Sequence, residues 1–200
     1  MTIKRATTLV RQHQIVEAVR KLIITDGMEH VTIETIAQEI GLSEGAIYRY
    51  FPSKHNILLV LIEELEQGLL KMVQEARREA GPGLASLEKV FQNHLTHTGL
   101  HGGVSFILVA EVLHFDDSRL REGVAQLLER YLAVIREILT EAMEREELRP
   151  GIDLARAATL FLGMVQSTAT LWSVSNYAFP LEERLMPLWS LYRQSIASNN

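Results

Sequence analysis

His94, His97 and His101 fall at i, i+3 and i+7, so a helix persisting through Gly99 would bring three imidazoles onto one face. Glu111 and His114 add a Glu-x-x-His pair. Imidazole and carboxylate together suit zinc or iron, and helical spacing can make such groups converge. A helical-bundle metal protein or di-iron carboxylate enzyme built on His94, His97, His101, Glu111 and His114 is therefore one reading of the chain. Such a centre takes two Glu-x-x-His motifs and two further glutamates, and the sequence holds one such motif. The simpler expectation is that these histidines line a helix junction or a pocket mouth, and that no metal or cofactor is needed. With no cysteine, thiolate nucleophiles and sulfur-based zinc sites are excluded. Neither a phosphate-binding G-x-x-x-x-G-K-S/T loop nor a dinucleotide-binding G-x-G-x-x-G appears, so an enzyme is the poorer expectation.

A second constellation has a different chemistry. The stretch "IAQEIGLSEGAIYRYFPSK", Ile36 to Lys54, combines hydroxyls, phenols, Arg49 and Lys54 with two helix starts. Two helices crossing steeply about a short turn need a small residue at the contact, a Gly in the turn, and an apolar side chain returned from the second helix. Ala37, Gly41 and Ile47 supply these. On the short second helix Ile47 and Phe51 point inward, which leaves Glu44, Gly45, Tyr48, Arg49 and Tyr50 facing outward, where a groove-binding helix presents its contacts.

These groups sit on elements legible from periodicity. Ile15, Ala18, Val19, Leu22 and Ile23 mark one face of a first helix, roughly 8–25. Asp26–Gly27 ends it. Thr32 can cap a second helix, although the box is imperfect because residue 35 is Thr rather than Glu or Gln. Gly41 stops that helix, Ser43 caps the third, "EGAIYRYF", and Pro52 stops it. Leu58, Leu61, Ile62, Leu65, Leu69, Met72, Val73 and Ala76 form the stripe of a long helix over 54–80, closed by "GPG" at 81–83. Further helices are expected near 84–98, 103–114, 117–148, 153–175 and 182–197. No useful length shows strand alternation. The fold is expected to be all-α, with about nine helices: an N-terminal three-helix domain containing a helix-turn-helix, residues 1–55, and a larger helical domain, 56–200.

Composition fits a folded chain. Of 200 residues, 47% are hydrophobic and 22% charged, with a formal net charge of -5. Residues 1–55 hold seven bases against six acids, and the remainder has a net charge of −6. A weakly positive head does not by itself indicate a nucleic-acid surface; only the contacting face has to be positive. No apolar run approaches the roughly 20 residues of a membrane span, and no apolar signal-peptide core opens the chain. A cytoplasmic protein without a membrane partner is expected.

The stretch "VTIETIAQEIGLSEGAIYRYFPSKHNIL" closely resembles the DNA-binding domain of the TetR family of bacterial transcriptional repressors. The shared features are the Thr opening the second helix, the "G-L-S-x-G-x-I-Y-x-Y-F" segment and the Lys after it. The resemblance implies that Thr32, Tyr48 and Lys54 touch backbone phosphates, while Ser43, Gly45, Ala46 and Tyr50 sit at or near base edges. Tyr50 stands where many members have His. Phosphate contacts fix register and base contacts specify sequence. The acidic remainder resembles the family's ligand-binding and dimerisation domain, and "EVLHFDDSRLREGV" looks like a helix junction common in the family.

Two seams follow steps of three and four: Leu154, Ala158, Phe161, Val165, Thr168 and Trp172, then Leu181, Leu185, Leu188 and Tyr192. Such seams suit helix packing at a shallow angle. The resemblance implies that Phe161, Val165, Thr168, Leu185, Leu188 and Tyr192 form a homodimer interface. Phe91, His97, Phe106, Phe115, Tyr131, Met164 and Trp172 are expected to line a pocket for a hydrophobic or amphipathic effector. The implied function is a ligand-responsive repressor that binds a pseudo-palindromic DNA operator as a homodimer, with the helix over 54–80 as the covalent link between head and body.

Overall fold

The computed structural model describes residues 2–100, 108–109, 111–112 and 115–198, and of these the side chains of 2–7, 95, 99, 100 and 185 stand outside the description. Helix α1 (Thr2–Thr25) starts earlier than its apolar stripe, since no Pro or Gly interrupts residues 2–7. A 3-10 turn (Met28–His30) leads to α2 (Ile33–Glu39) and α3 (Glu44–Tyr48). Then follow α4 (Lys54–Ala80), α5 (Leu84–Leu100), α6 (Ser118–Glu144), α7 (Leu154–Val174) and α8 (Leu181–Ile196). Among the described residues there is no strand, only an isolated antiparallel bridge between Leu148 and Ala197. Of the helix expected near 103–114, residues 108, 109, 111 and 112 are helical and the others lie outside the described residues.

Helix α6 ends four residues before expectation and α7 within one residue of it, both by the same physical means. Helix α6 stops at Glu144 because Glu146 turns left-handed at φ 59°, with the Glu147 amide donating to Ala142 O at 2.9 Å. Helix α7 stops where Asn176 and Tyr177 take φ 54° and 61°, and Tyr177 N reaches back to Trp172 O at 2.9 Å. Both are helix-ending turns of the kind Gly usually makes, and at Glu146 no Gly marked the turn.

The described chain forms two compact units, residues 1–65 with 107–126, and 66–106 with 127–200. The expected division at residue 55 left 107–126 with the body. The chain therefore passes between units three times rather than once, and two of the passages lie inside α4 and α6. In the first unit the core is Ile15, Val16, Val19 and Leu22 of α1, Ile36 and Ala37 of α2, Ile47 of α3, Phe51, and Ile57, Leu58 and Leu61 of α4, all buried. In the second unit Phe91, Phe161, Trp189 and Tyr192 form an aromatic centre, with Phe91 at 5.8 Å from Phe161 and 5.7 Å from Trp189 between ring centroids. Edge-to-face and tilted pairs of this kind add to the area they bury.

Candidate nucleic-acid interface

Helix α2 is fixed at both ends. Thr32 is its N-cap: Thr35 N donates to Thr32 Oγ1 at 3.1 Å and Thr32 N donates to Thr35 Oγ1 at 2.9 Å. The capping box is thus complete with a Thr in place of Glu or Gln. The shorter side chain has a second use, since its hydroxyl also donates to His30 O at 2.8 Å. At the other end Gly41 sits at φ 66°. Leu42 N donates to Ala37 O at 2.9 Å and Gly41 N to Gln38 O at 3.3 Å, the paired bonds of a Schellman turn. Thr35→Val should cost about 1 kcal/mol, read as a lower urea midpoint; an unchanged midpoint would show that the box adds nothing.

Ser43 caps α3 by accepting from Ala46 N at 3.3 Å. Past Tyr48 the chain continues as a turn, Tyr50 N and Phe51 N both donating to Ile47 O, because Pro52 disfavours helix at the residue before it. Ile47 and Phe51 are buried as expected. The outward set is Thr32, Ser43, Glu44, Gly45, Tyr48 and Arg49, all exposed, with Tyr50 half-buried. Tyr48 is 52% exposed. Nothing lies within 4 Å of where a Gly45 Cβ would stand, so another molecule can approach that backbone closely. Ala46 differs from expectation: it is only 6% exposed, so its methyl is buried and offers no side chain to a base.

Lys54 also differs from expectation. Its ammonium is half-buried and donates to Val31 O at 2.7 Å, and it stands 5.4 Å from the centroid of the Phe115 ring. Burial lowers its pKa from the usual lysine range. Phe115, expected in the effector pocket, belongs to the first unit and packs edge-on to His55 at 5.5 Å.

Of the other expected pocket residues, Phe91 and Tyr131 lie buried in the second unit's core, with Met164 and Trp172 half-buried against it. Trp172 packs edge-on to Tyr177 at 4.6 Å. His97 is exposed and Phe106 lies outside the described residues. A separate cleft of about 350 Å³ is lined by Leu84, Ala85, Glu88, Glu146, Glu147, Arg193, Ala197 and Ser198, and shares no residue with the expected pocket.

The first of the expected metal ligands is otherwise engaged. His94 is buried and hydrogen-bonded to the Tyr131 hydroxyl. Burial, with His97 adding repulsion, lowers its pKa to about 3. His101 and His114 lie outside the described residues. Among the described residues His13, Glu17 and Glu64 do gather at the surface, but Arg20 already binds both carboxylates, at 3.0 and 3.1 Å.

The expected interface residues Phe161, Val165, Thr168 and Tyr192 are buried within the protomer, where they build its own core. Leu188 is half-buried against that core, and the side chain of Leu185 is outside the description. Four exposed apolar groups lie beside that seam, Leu160 at 52%, Leu171 at 59% and Val174 at 82% on α7, and Leu191 at 63% on α8, while Leu9 and Val10 are exposed on α1.

A helix-turn-helix with capped ends and a polar outward face defines a DNA-binding regulator. Residues 15–61 match the model of bacterial regulatory proteins of the tetR family, and residues 62–194 match that of the YsiA-like protein C-terminal region. The chain belongs to the TetR family. It is 29% identical over 187 residues to the nucleoid occlusion factor SlmA of Vibrio atlanticus (strain LGP32), covering 93% of this chain and 95% of that one. It is 27% identical over 169 residues to the fatty acid metabolism regulator protein of Bacillus subtilis (strain 168), covering 84% and 86%. The fold matches the crystal structure of FadR from Bacillus subtilis in complex with stearoyl-CoA, with a TM-score of 0.81 at 24% identity over 92% of this chain and 98% of that one. It also matches a transcriptional regulator from Saccharomonospora viridis in complex with choline, with a TM-score of 0.83 at 18% identity over 94% and 98%.

Proposed function

We propose that the chain is a ligand-responsive transcriptional repressor that binds a pseudo-palindromic operator as a homodimer in the cytoplasm and is released by a hydrophobic or amphipathic effector. The observation that carries this reading is the exposed face of Thr32, Ser43, Glu44, Gly45, Tyr48 and Arg49 on a capped helix-turn-helix, in a chain matched along most of its length by regulators. Arg49 has no hydrogen-bond or ion-pair partner among the described residues, so its guanidinium is available to a phosphate or a base edge. Thr32 and Tyr48 are phosphate contacts, and Ser43, Gly45 and Tyr50 stand near base edges. No helix among the described residues is long and apolar enough to cross a membrane.

One recognition unit per chain needs a second copy to read a symmetric site, with half-sites about one helical turn apart. The surface for that copy is the uncovered stripe Leu160, Leu171, Val174 and Leu191. Isolated apolar groups are ordinary on a surface, but a row at helical spacing indicates a contact.

The relatives give the first effector class to test. A fatty acyl thioester of coenzyme A joins a long apolar tail to a polar head, and the stearoyl-CoA bound by FadR points to it. A regulator of the same fold was solved in complex with choline, so the fold by itself does not select the effector class. Selection from random DNA should return a symmetric motif. Stearoyl-CoA affinity, measured with and without that operator, should fall on DNA by the same factor by which stearoyl-CoA weakens DNA binding, about 5–150-fold for ordinary coupling. Equal affinities would exclude induction by that compound. The likeness to SlmA supports a second reading, DNA occupancy without an acyl effector, which an operator-binding chain indifferent to stearoyl-CoA would favour.

A further inference from the structure

Lys54 is the first residue of α4 and stands where the family resemblance implies a phosphate contact. Its ammonium is turned toward the protein. One N–H donates to Val31 O at 2.7 Å; Val31 is fully buried and immediately precedes Thr32, the N-cap of α2. The other partner is the Phe115 ring, 5.4 Å away, within range of a cation–π attraction.

Phe115 is itself held in place. Its ring meets His55 edge-on at 5.5 Å, and His55 Nδ1 lies 3.1 Å from Asp117 Oδ2. Asp117 receives Arg119 Nη2 at 2.8 Å and the Arg119 amide at 2.9 Å, which fixes the start of α6. The Arg119 hydrogen bond holds the Asp117 carboxyl well below the usual carboxylate range. Arg121 Nη1 donates to Phe115 O at 2.7 Å. An unbroken set of contacts, all inside the first unit, therefore runs from the corner ahead of α6 to the N-cap of the DNA-contact helix pair.

We infer that Lys54 is a positioning residue: it pins the Val31 carbonyl so that Thr32 is held for its contact, and the pin holds only while Phe115 stays beneath it. This rests on the DNA-binding function proposed above. A lysine serving phosphate alone would stay extended in water, where its charge is fully solvated. Lys54 instead accepts the desolvation that lowers its pKa, in exchange for two partners that both belong to the protein. Displacement of the corner removes the ring from the ammonium, slackens the Val31 bond and loosens the cap of α2.

Two conservative variants separate pin from phosphate ligand. Lys54→Met keeps the apolar stem without the charge, and Phe115→Leu keeps bulk without the ring face. Hydrogen exchange in the free protein reads the pin at the Thr35 and Ile36 amides, which donate to Thr32. Each variant should speed exchange there about tenfold while amides of α8 stay unchanged. On operator DNA each variant should bind more weakly with the salt slope unchanged, and the double variant should be no weaker than Lys54→Met alone. A salt slope shallower by about one unit in Lys54→Met, with exchange at Thr35 and Ile36 unchanged, would overturn the inference and leave Lys54 a phosphate ligand only. Exchange is measured without DNA, so a wild-type chain that bound no operator would sink the function while the pin is still judged. Where Lys54→Met does not fold, Lys54→Gln is read by the same two measurements.

Discussion

Leu171→Glu is expected to give a folded monomer that no longer binds a two-half-site operator. Leu171 is 59% exposed in the protomer, so a carboxylate there is solvated and the protomer keeps its stability. In a symmetric dimer closed by α7 and α8, each copy would bury an unpaired carboxylate, on the order of 3–5 kcal/mol apiece. That weakens association by more than about a thousandfold. Leu191→Glu, at 63% exposure, should behave alike. Light scattering gives the mass and thermal melting the integrity of the fold. A Leu171→Glu protein that remains a dimer places the interface elsewhere. Leu188→Glu is a poorer probe, because Leu188 packs against the protomer's own core and its variant confuses unfolding with dissociation.

The second large effect is on acid stability. His94 has its pKa lowered to about 3, against about 6.5 for imidazole in an unfolded chain. The folded state refuses a proton that the unfolded state accepts. Stability is therefore unaffected by this group above about pH 6.5 and falls as pH drops from there toward 3, by about 1.4 kcal/mol per pH unit. Between pH 7 and pH 5 the wild type should lose about 2 kcal/mol more than His94→Gln, which cannot titrate and can still hydrogen-bond Tyr131. Burial keeps that phenol protonated throughout, its pKa raised. Urea unfolding at the two pH values decides; equal losses would mean that His94 charges freely in the folded protein.

The first unit was legible because its signals are local. Thr32, Gly41 and Ser43 announce caps and a turn, and the turn geometry follows from them. The partner of Thr32 was harder to see: Thr35 completes the box by also bonding His30 O, a three-way arrangement that no i, i+3 pattern encodes. Ala46 was misplaced because an Ala beside exposed neighbours reads the same whether its methyl faces a groove or a core.

The seam was legible only as an apolar face. Steps of three and four locate an apolar face but are silent on what covers it. Phe161, Val165 and Tyr192 belong to the core of their own chain, where the Phe161 ring meets that of Tyr192, Thr168 is buried as well, and the exposed Leu160 stands one residue before Phe161. Phe115 shows the same limit over a longer range. Its partners Lys54 and His55 are some sixty residues away, and an aromatic in an acidic body invites assignment to a ligand pocket. One cleft among the described residues is edged by Glu88, Glu147 and Arg193, residues that composition would assign to a solvated surface.

The interleaving of the two units has a consequence for recombination. Regulators of this kind invite cassette exchange, in which one reading head is grafted onto another's sensing body to rewire which genes answer which signal. Here the head is not a continuous cassette: residues 107–126 return to it after the chain has left. A chimera cut after residue 55 would carry Lys54 and His55 into a foreign body and leave Phe115 and Asp117 behind. A graft that also transplants 115–121 keeps the set intact, so a functional chimera has to carry two separate stretches of the chain rather than one.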